Sequence, residues 1–243
     1  MYSIMRRIAT SDVGRDSRLT LGALVRLMQD CSCFQLDSEG VLSAFFKKEH
    51  CGMYLAYRQI DIDRLPAYGE DVTIETRVLE CNRAFGMRNT CLYDKAGAML
   101  IKSNAVGVFC DLETGRPMRL DQSIIDTVPF DKRVEMEYLP RKIKLPEGGG
   151  ERREALVVKK RHIDYFGHMN NAAYVEEAWE FAPAGFEAGR IRVEYIAPIK
   201  EGELVIPCTY REPEGKLIVA FKDGDEKARA IVEFWKKSEV GNK

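Results

Sequence analysis

The two halves of this 243-residue chain repeat one order of structural signals, and this repeat constrains the fold more than any other feature. Each half opens with a polar turn and a helix-like stretch, SDVGRDSRLTLGALVRLMQDCS in the first half and HIDYFGHMNNAAYVEEAWEFAP in the second. Each half continues with a strand, a proline, a short acidic turn with glycine and a further strand, and it ends in antiparallel strands joined by turns. Self-similarity of this kind indicates one folding unit present twice.

Apolar residues recur at helical spacing in both helix-like stretches. In the second half they are Tyr174, Val175, Ala178, Trp179 and Ala182, and the glutamates lie mostly off this face. One helix cannot bury its own apolar face, and an antiparallel sheet usually has one apolar face to cover. The sequence therefore predicts an α+β protein, a double (tandem) hotdog. Each half is expected to be an antiparallel sheet wrapped around one central helix.

A segment over residues 131–155 separates the two halves. Its sequence, DKRVEMEYLPRKIKLPEGGGERREA, combines prolines, consecutive glycines and dense charge, so little of it is expected to pack in a core. We therefore predict an N-terminal domain over residues 1–130, a linker over 131–155 and a C-terminal domain over 156–243.

Composition and missing motifs exclude several classes of function. The formal net charge is −1, which gives no reason to expect nucleic acid as a partner. No apolar run approaches the roughly 20 residues of a membrane span, and the N-terminus MYSIMRRIAT lacks the apolar stretch of a signal peptide. The seven cysteines form no CxxC pair, as is typical of free thiols in a reducing compartment such as the cytoplasm. Walker A, GxGxxG, GxSxG and HExxH motifs are absent, so we predict no metal and no cofactor.

The stretch HIDYFGHMNN, residues 162–171, holds two of the three histidines at a predicted turn-to-helix junction. Asn170 and Asn171 precede the apolar-periodic run and are N-cap candidates. A helix N-terminus carries a partial positive charge that stabilises a carbonyl oxygen as it becomes an oxyanion. Asp164 and His168, just before this terminus, supply a base for a water molecule and a hydrogen-bonding partner. The junction therefore favours acyl hydrolysis.

A structural interpretation of the same junction remains open, because Asp, His and Asn ahead of a helix also make turns and caps. His162 is expected to belong to such a turn. The first half offers a comparison, in which Asp12 and Gly14 align roughly with Asp164 and Gly167. The letters GRDSR of the first half then correspond to GHMNN of the second. Since GRDSR has no histidine and no Asn pair, we predict that the first half keeps the fold and the second half keeps the chemistry.

These residues resemble the acyl-ACP thioesterase family, the tandem-hotdog enzymes that release fatty acids from acyl carrier protein. The resemblance covers nearly the whole chain. In the first half it rests on the helix-like stretch quoted above, on LPAYGEDVTIETRV and on VFCDLETGRPMRL; in the second half it rests on HIDYFGHMNNAAYVEEAWE. The family pattern HxNNxxY is formed here by His168, Asn170, Asn171 and Tyr174.

The resemblance implies a role for each matching residue. It places the catalytic Asp on Asp164 and the catalytic His on His168, and it implies that Asn170, Asn171 and Tyr174 bind the substrate and its oxyanion.

The chain departs from the family pattern at three positions. The family's catalytic Asn falls on Phe166, and the Glu-Cys pair of plant-type members falls near Pro198 and Ile199. A cysteine nucleophile therefore has no support here. Glu194 is the nearest carboxylate on the following strand, and we include it as a further catalytic candidate.

The function implied by the resemblance is hydrolysis of fatty acyl-ACP to free fatty acid, which ends chain elongation in fatty acid synthesis. Asp164, helped by His168, would activate water, and direct attack by Asp164 through an anhydride stays open as a variant. The first half would provide the acyl-chain pocket. The partner would be the acidic acyl carrier protein, steered by Lys159, Lys160 and Arg161.

Two alternative functions stay open at this point, an acyl-CoA thioesterase and a non-catalytic hotdog protein that binds an acyl chain. Two hotdogs in one chain already suffice as a monomer, and a homodimer is an alternative. Neither nucleic acid nor stable membrane insertion is expected.

Overall fold

The computed structural model describes residues 1–148, 150–212 and 215–240. Gly149 of the predicted linker, and residues 213–214 and 241–243 of the predicted C-terminal domain, lie outside the described residues. The chain separates into two compact units. Unit 1 comprises Met1–Ala56 and Asp63–Tyr138, and unit 2 comprises Tyr57–Ile62 and Leu139–Lys243.

Unit 1 is built from antiparallel strands and three helices among its described residues. In chain order they are β1 (Tyr2–Arg7), α1 (Leu21–Ser38), α2 (Gly40–Lys48), the first part of β2 (Cys51–Ile62), β3 (Asp71–Cys81), β4 (Phe85–Asp94), β5 (Met99–Asp111) and α3 (Gln122–Ile125).

The sheet of unit 1 has the strand order β1-β3-β4-β5-β2 and packs against α1. Helix α1 begins after Thr20, whose hydroxyl oxygen accepts the Ala23 N–H at 3.2 Å and so caps the helix. Leu24, Val25 and Met28 of α1 are almost fully buried. The predicted hotdog arrangement is confirmed. The prediction of one helix in this half is wrong, because α2 and α3 supply additional apolar residues to the core around Phe109.

Unit 2 repeats this plan with a shorter helix. It contains the last part of β2, β6 (Glu151–Arg152), β7 (Leu156–Val157), α4 (Asn171–Trp179), β8 (Ala188–Tyr195), β9 (Leu204–Glu212), β10 (Lys216–Lys222) and β11 (Ala228–Lys236). The strand order is β2-β8-β11-β10-β9-β6, and β7 pairs with β9. The Tyr174 ring of α4 meets the rings of Tyr195 and Phe221 edge-on, with centroids 5.6 and 5.8 Å apart. No helix of the described residues has both the length and the apolar character that crossing a bilayer demands.

Helix α4 is shorter than its apolar periodicity predicts. The predicted face included Ala182, but α4 ends at Trp179 and Glu180 is its C-cap. The chain reaches Pro183 soon afterwards, and a residue that precedes proline is disfavoured in helical conformation. Trp179 still packs into the unit, with its ring edge-on to Phe234 at 5.1 Å.

Little of the segment predicted as a linker is buried, as expected: among its described residues only Val134 and Ile143 are buried. Ile143 is 2% exposed and belongs to an apolar cluster with residues of β9, β10 and β11, such as Ile218. The carbonyl oxygen of Pro140 accepts a hydrogen bond from the Arg192 guanidinium at 2.7 Å. Ile143, with the partly buried Leu145, therefore packs on the sheet of unit 2 against residues of β9, β10 and β11.

Candidate active site

The loop that carries Asp164 and His168 is a closed turn in unit 2. The Asp164 N–H donates to the His168 carbonyl at 3.0 Å, and the Gly167 N–H donates to the Asp164 carbonyl at 3.0 Å. A bridge between Ile163 and Met169 holds the two ends of the loop together. Gly167 has φ of 78°, in the left-handed region that glycine adopts without a steric penalty. Asp164 and His168 therefore lie at the two ends of one hydrogen-bonded turn.

Asn170 and Asn171 form the start of α4. Asn170 is the N-cap, as the sequence predicts, because its side-chain oxygen accepts the Ala172 N–H at 2.9 Å. Asn171 is the first residue of the helix, and its carbonyl accepts the Tyr195 hydroxyl at 3.1 Å. The positive end of the α4 dipole therefore lies directly beyond the loop of Asp164 and His168.

Asp164 is half-buried and strongly hydrogen-bonded. Its Oδ1 accepts the Phe166 N–H at 2.9 Å. Burial is the largest influence on this carboxyl group and raises its pKa, whereas bonds from the Phe166 and His168 N–H groups, the His168 charge and the Asn170 side chain lower it. The net effect is a pKa above the ordinary value of 3.8. A raised pKa makes the ionised carboxylate a stronger base than an exposed Asp.

Phe166 stands where the resembled family has its catalytic Asn. Its ring stacks on the exposed Tyr165 ring, with centroids 4.1 Å apart. Position 166 therefore contributes its main-chain N–H to the Asp164 carboxylate and offers no side-chain amide.

Pro198 and Ile199, where plant-type relatives carry Glu and Cys, support the loop through main-chain atoms. The Ile199 carbonyl accepts the Met169 N–H at 2.8 Å, and the Ile199 N–H bonds the Tyr174 hydroxyl. The Pro198 carbonyl accepts the Arg229 guanidinium. Tyr174 itself is 3% exposed, and burial raises its pKa. The structure therefore places Tyr174 beneath the loop, in the core.

Glu194 is not brought together with Asp164 and His168. Successive side chains of a strand point to opposite faces of the sheet. Tyr195 points toward α4, since its hydroxyl bonds Asn171, and Glu194 therefore points to the other face. There its carboxylate accepts the Ile143 N–H at 2.9 Å.

The turn of unit 1 has the same main-chain hydrogen bonds as the loop of Asp164 and His168. The Gly14 N–H donates to the Arg18 carbonyl at 2.9 Å, and the Ser17 N–H donates to the Gly14 carbonyl at 3.0 Å. The Thr20 N–H donates to the Asp12 carbonyl at 2.9 Å, as the Asn170 N–H does to His162 at 2.7 Å.

These bonds correct the predicted alignment of the two halves. Gly14 corresponds to Asp164, Ser17 to Gly167, and Arg18 to His168. The predicted pairing of Gly14 with Gly167 is wrong, because Ser17, with φ of 58°, takes the left-handed position in unit 1. The corrected alignment still leaves unit 1 without the Asp and the His.

Other nucleophiles and metal ligands are poorly placed for catalysis. All seven cysteines are free, and burial raises the pKa of Cys31, Cys51, Cys81, Cys91 and Cys110, which disfavours the reactive thiolate. Within residues 1–148, 150–212 and 215–240, no three His, Cys, Asp or Glu side chains are grouped as a metal site.

The two helix-and-sheet units define a double hotdog protein, and the Asp–His loop at a helix N-terminus is its candidate site for acyl hydrolysis. The chain belongs to the acyl-ACP thioesterase family: the model of the family's N-terminal domain matches residues 2–128, and that of its C-terminal domain matches residues 149–237.

Relatives of known structure share the fold over nearly the whole chain. An acyl-ACP thioesterase from Bacteroides thetaiotaomicron VPI-5482 is 22% identical, with 96% of each chain covered and a TM-score of 0.86. The 12:0-ACP thioesterase from Umbellularia californica is 17% identical, with 96% of each chain covered and a TM-score of 0.84.

A curated relative matches by sequence. A chloroplastic acyl-[acyl-carrier-protein] hydrolase of Cuphea viscosissima is 25% identical over 187 residues, which are 71% of this chain. The match spans 44% of that relative's length.

Proposed function

We propose that this protein hydrolyses the thioester of fatty acyl-ACP and releases the free fatty acid, which ends chain elongation. One observation carries the proposal: Asp164 and His168 lie in the same turn, directly before the N-terminus of α4. Membership of the acyl-ACP thioesterase family supports it, as do the names of the relatives, which describe acyl-ACP hydrolysis.

The first step is attack of water on the thioester carbonyl carbon. The Asp164 carboxylate takes one proton from the water, and the new C–O bond forms while the carbonyl π electrons move onto oxygen. The N-terminus of α4, beginning at Asn171, stabilises this oxyanion through its dipole. The main-chain N–H of Phe166 and the Asn170 side chain hold the carboxylate in place during the proton transfer.

The second step is expulsion of the carrier thiolate. The oxyanion electrons re-form the carbonyl as the C–S bond breaks, and the sulfur takes the proton that Asp164 received. His168 lies beside the Asp164 carboxylate and its charge acts on it, so His168 is suited to hold the water and to relay this proton. In the variant with an anhydride, Asp164 attacks the carbonyl directly and water hydrolyses the acyl-enzyme.

We further propose that unit 1 holds the acyl chain and that acyl carrier protein is the partner. Helices α1 and α2 and the sheet of unit 1 border a mostly apolar cavity of about 20 Å³, lined by Leu36, Leu42, Met53 and Val78 together with Gln35 and Arg88, and this cavity would have to widen to take an acyl chain. The exposed Lys160 and Arg161 precede the Asp164 loop and complement an acidic carrier. Seven free thiols support a reducing location such as the cytoplasm.

The test is steady-state hydrolysis of matched acyl-ACP and acyl-CoA substrates by the wild type, Asp164→Asn and His168→Ala. The controls lie in the turn of unit 1: Arg18→Ala, at the position that corresponds to His168, and Asp16→Asn, an Asp-to-Asn change in the same turn. Both should retain turnover. We expect acyl-ACP to be the better substrate and both unit 2 variants to be impaired. Preference for acyl-CoA would identify the first alternative, and acyl binding without turnover would identify the second.

A further inference from the structure

His162 is the buried histidine of this chain, and both of its ring nitrogens face polar atoms. The residue is 4% exposed. Its Nδ1 accepts the Lys159 N–H at 3.1 Å, and its Nε2 lies 3.2 Å from the Glu177 Oε1 on α4. The ring therefore joins the 3-10 turn Lys160–His162 to the side of the helix.

These contacts select one protonation state of the ring. A nitrogen that accepts an N–H carries no proton of its own, so the proton of neutral His162 is on Nε2. That nitrogen lies 3.2 Å from the Glu177 carboxylate, within reach of electrostatic attraction but without the geometry of a hydrogen bond. Protonation of Nδ1 would remove the acceptor for the Lys159 N–H and open the turn.

His162 is connected to Asp164 through Asn170. The His162 carbonyl accepts the Asn170 N–H at 2.7 Å. Asn170 in turn caps α4 with its side-chain oxygen and bonds the Asp164 carboxylate with its side chain. A shift of the turn at His162 therefore moves the residue that holds the catalytic carboxylate.

Unit 1 shows the same turn without this ring. Asp12 takes the place of His162, and its carboxylate accepts the Ala9 N–H at 2.9 Å. The position that corresponds to Glu177 is Leu27, which is 3% exposed. Asp12 alone can accept the N–H that stabilises this turn, so the fold does not require a histidine at the position. The approach of a histidine ring to a helix carboxylate is therefore specific to the unit that carries Asp164.

We propose that His162 is a positioning residue for the thioesterase reaction. In its neutral Nε2–H form it fixes the turn, and the turn in turn fixes the Asp164 carboxylate. This inference rests on the proposed function of Asp164. His162 touches neither substrate nor water in this role and acts through Asn170.

Burial, more than the charges around it, favours the neutral form of the His162 ring. Burial lowers its pKa most; Glu177 and Glu176 on α4 raise it, and Arg161 and Lys159 on the turn lower it, with a net pKa below 6.5. Because the unfolded chain takes up this proton at higher pH than the folded one, the stability due to neutral His162 is complete above pH 6.5. It is lost as the pH falls from there through the folded pKa.

The first arm of the test is NMR and needs no turnover. The chain has only three histidines, so their ¹⁵N signals can be assigned individually. His162 should show the Nε2–H tautomer, and its ring should stay neutral at pH values below 6.5, where an exposed histidine is protonated. In His162→Ala, the Asp164 carboxyl, assigned with Asp164→Asn, should titrate further above 3.8, because the Asn170 bond that lowers its pKa is weakened, while Asp12→Ala should leave it unchanged. An Nδ1–H form, or an Asp164 titration indifferent to His162→Ala, overturns the proposal even if no thioester is hydrolysed.

The second arm is kinetic, with unit 1 as the matched control. His162→Ala should lower kcat by about 10–100-fold with little change in KM, since small displacements of a catalytic group have effects of this size. His162→Asn, which restores an acceptor for the Lys159 N–H, should recover most of kcat and flatten the acid limb of its pH profile. Asp12→Ala should lower the melting temperature similarly but leave kcat unchanged. Equal loss of kcat in both alanine variants would mean that the turn serves only folding and would overturn the inference. An inactive wild type, by contrast, would refute the proposed function itself.

Discussion

Arg18 occupies in the turn of unit 1 the position that His168 occupies in unit 2. Each residue offers its carbonyl oxygen to the N–H four positions earlier, at 2.9 Å for Arg18 and 3.0 Å for His168. The Arg18 guanidinium then donates to the Leu65 carbonyl at 3.1 Å, as a purely structural residue does. The backbone of the loop therefore does not depend on the histidine, and variants at His168 should lose activity without losing the fold.

Replacing Asp164 by Asn should lower kcat by about 10²–10⁴-fold, the usual contribution of a general base. It should also raise the melting temperature by roughly 1–3 °C near neutral pH. The pKa of Asp164 is raised in the folded state, so its ionised form opposes folding above that pKa, and this effect disappears as the pH falls toward 3.8. Calorimetry of both proteins across this range checks the sign, and a variant less stable at neutral pH would contradict it.

Single turnover in H₂¹⁸O distinguishes the two roles of Asp164. If Asp164 is a base, the label enters the fatty acid directly and the Asp164 carboxylate stays unlabelled. If Asp164 attacks through an anhydride, water can open the anhydride at the protein carbonyl and leave ¹⁸O in the carboxylate. We expect no label in Asp164, because its Oδ1 is held by the Phe166 N–H. Mass spectrometry of the peptide that contains Asp164 reports the result.

Phe166→Ala should reduce kcat by no more than about 3-fold. The contact of Phe166 with Asp164 is made by the main-chain N–H, which alanine retains. The variant loses the stacking on Tyr165, an aromatic contact worth about 0.5–1.5 kcal/mol, so a small fall in melting temperature is expected. A loss of activity as large as that of Asp164→Asn would show that the ring itself takes part in the reaction.

Ser17 and Gly167 occupy the left-handed positions of the two turns, and exchanging their residue types should change the stability of the protein in opposite directions. Ser17→Gly should stabilise the protein by up to about 1 kcal/mol, because a non-glycine residue with positive φ is strained. Gly167→Ser should destabilise it by a similar amount. No atom lies within 4 Å of a Cβ built on Gly167, so the effect there is conformational and not steric. Chemical denaturation of both variants checks this, and equal signs would contradict it.

Charge reversal before the catalytic loop should affect only the natural carrier. Lys160→Glu with Arg161→Glu should raise KM for acyl-ACP by about 10-fold at low salt, because both side chains are exposed on the turn ahead of Asp164. KM for an acyl-pantetheine thioester, which lacks the carrier protein, should not change. Lys47→Glu on α2 of unit 1 is the control. A similar rise for both substrates would place the effect in the catalytic loop.

Much of this fold was readable from sequence because its signals are local. Periodicity located α1 and α4 but not α2 and α3, and the Asn170 cap followed from the residue type ahead of the run. The alignment of the two turns was not readable, since matching Gly14 to Gly167 ignores that Ser17 adopts the left-handed conformation. Hydrogen bonds, not residue identity, define that position.

Glu194 and His162 differ in whether the sequence alone could have placed them. Glu194 could have been excluded from the sequence, because strand alternation sets it opposite Tyr195. His162 could not have been recognised as buried, because its burial and its contact with Glu177 arise from how the turn packs on α4. Tertiary contacts of this kind have no signature in residue spacing.

The shared hydrogen bonds of the two turns have an evolutionary consequence. After a duplication, a turn whose backbone is fixed by its own main-chain bonds can exchange Asp for Gly and His for Arg without unfolding. The side chains of such a turn are then separable from its ability to fold, and a copy without the Asp and the His can drift toward other tasks. The same independence makes the turn of unit 1 a starting point for building a second reaction centre by side-chain replacement alone.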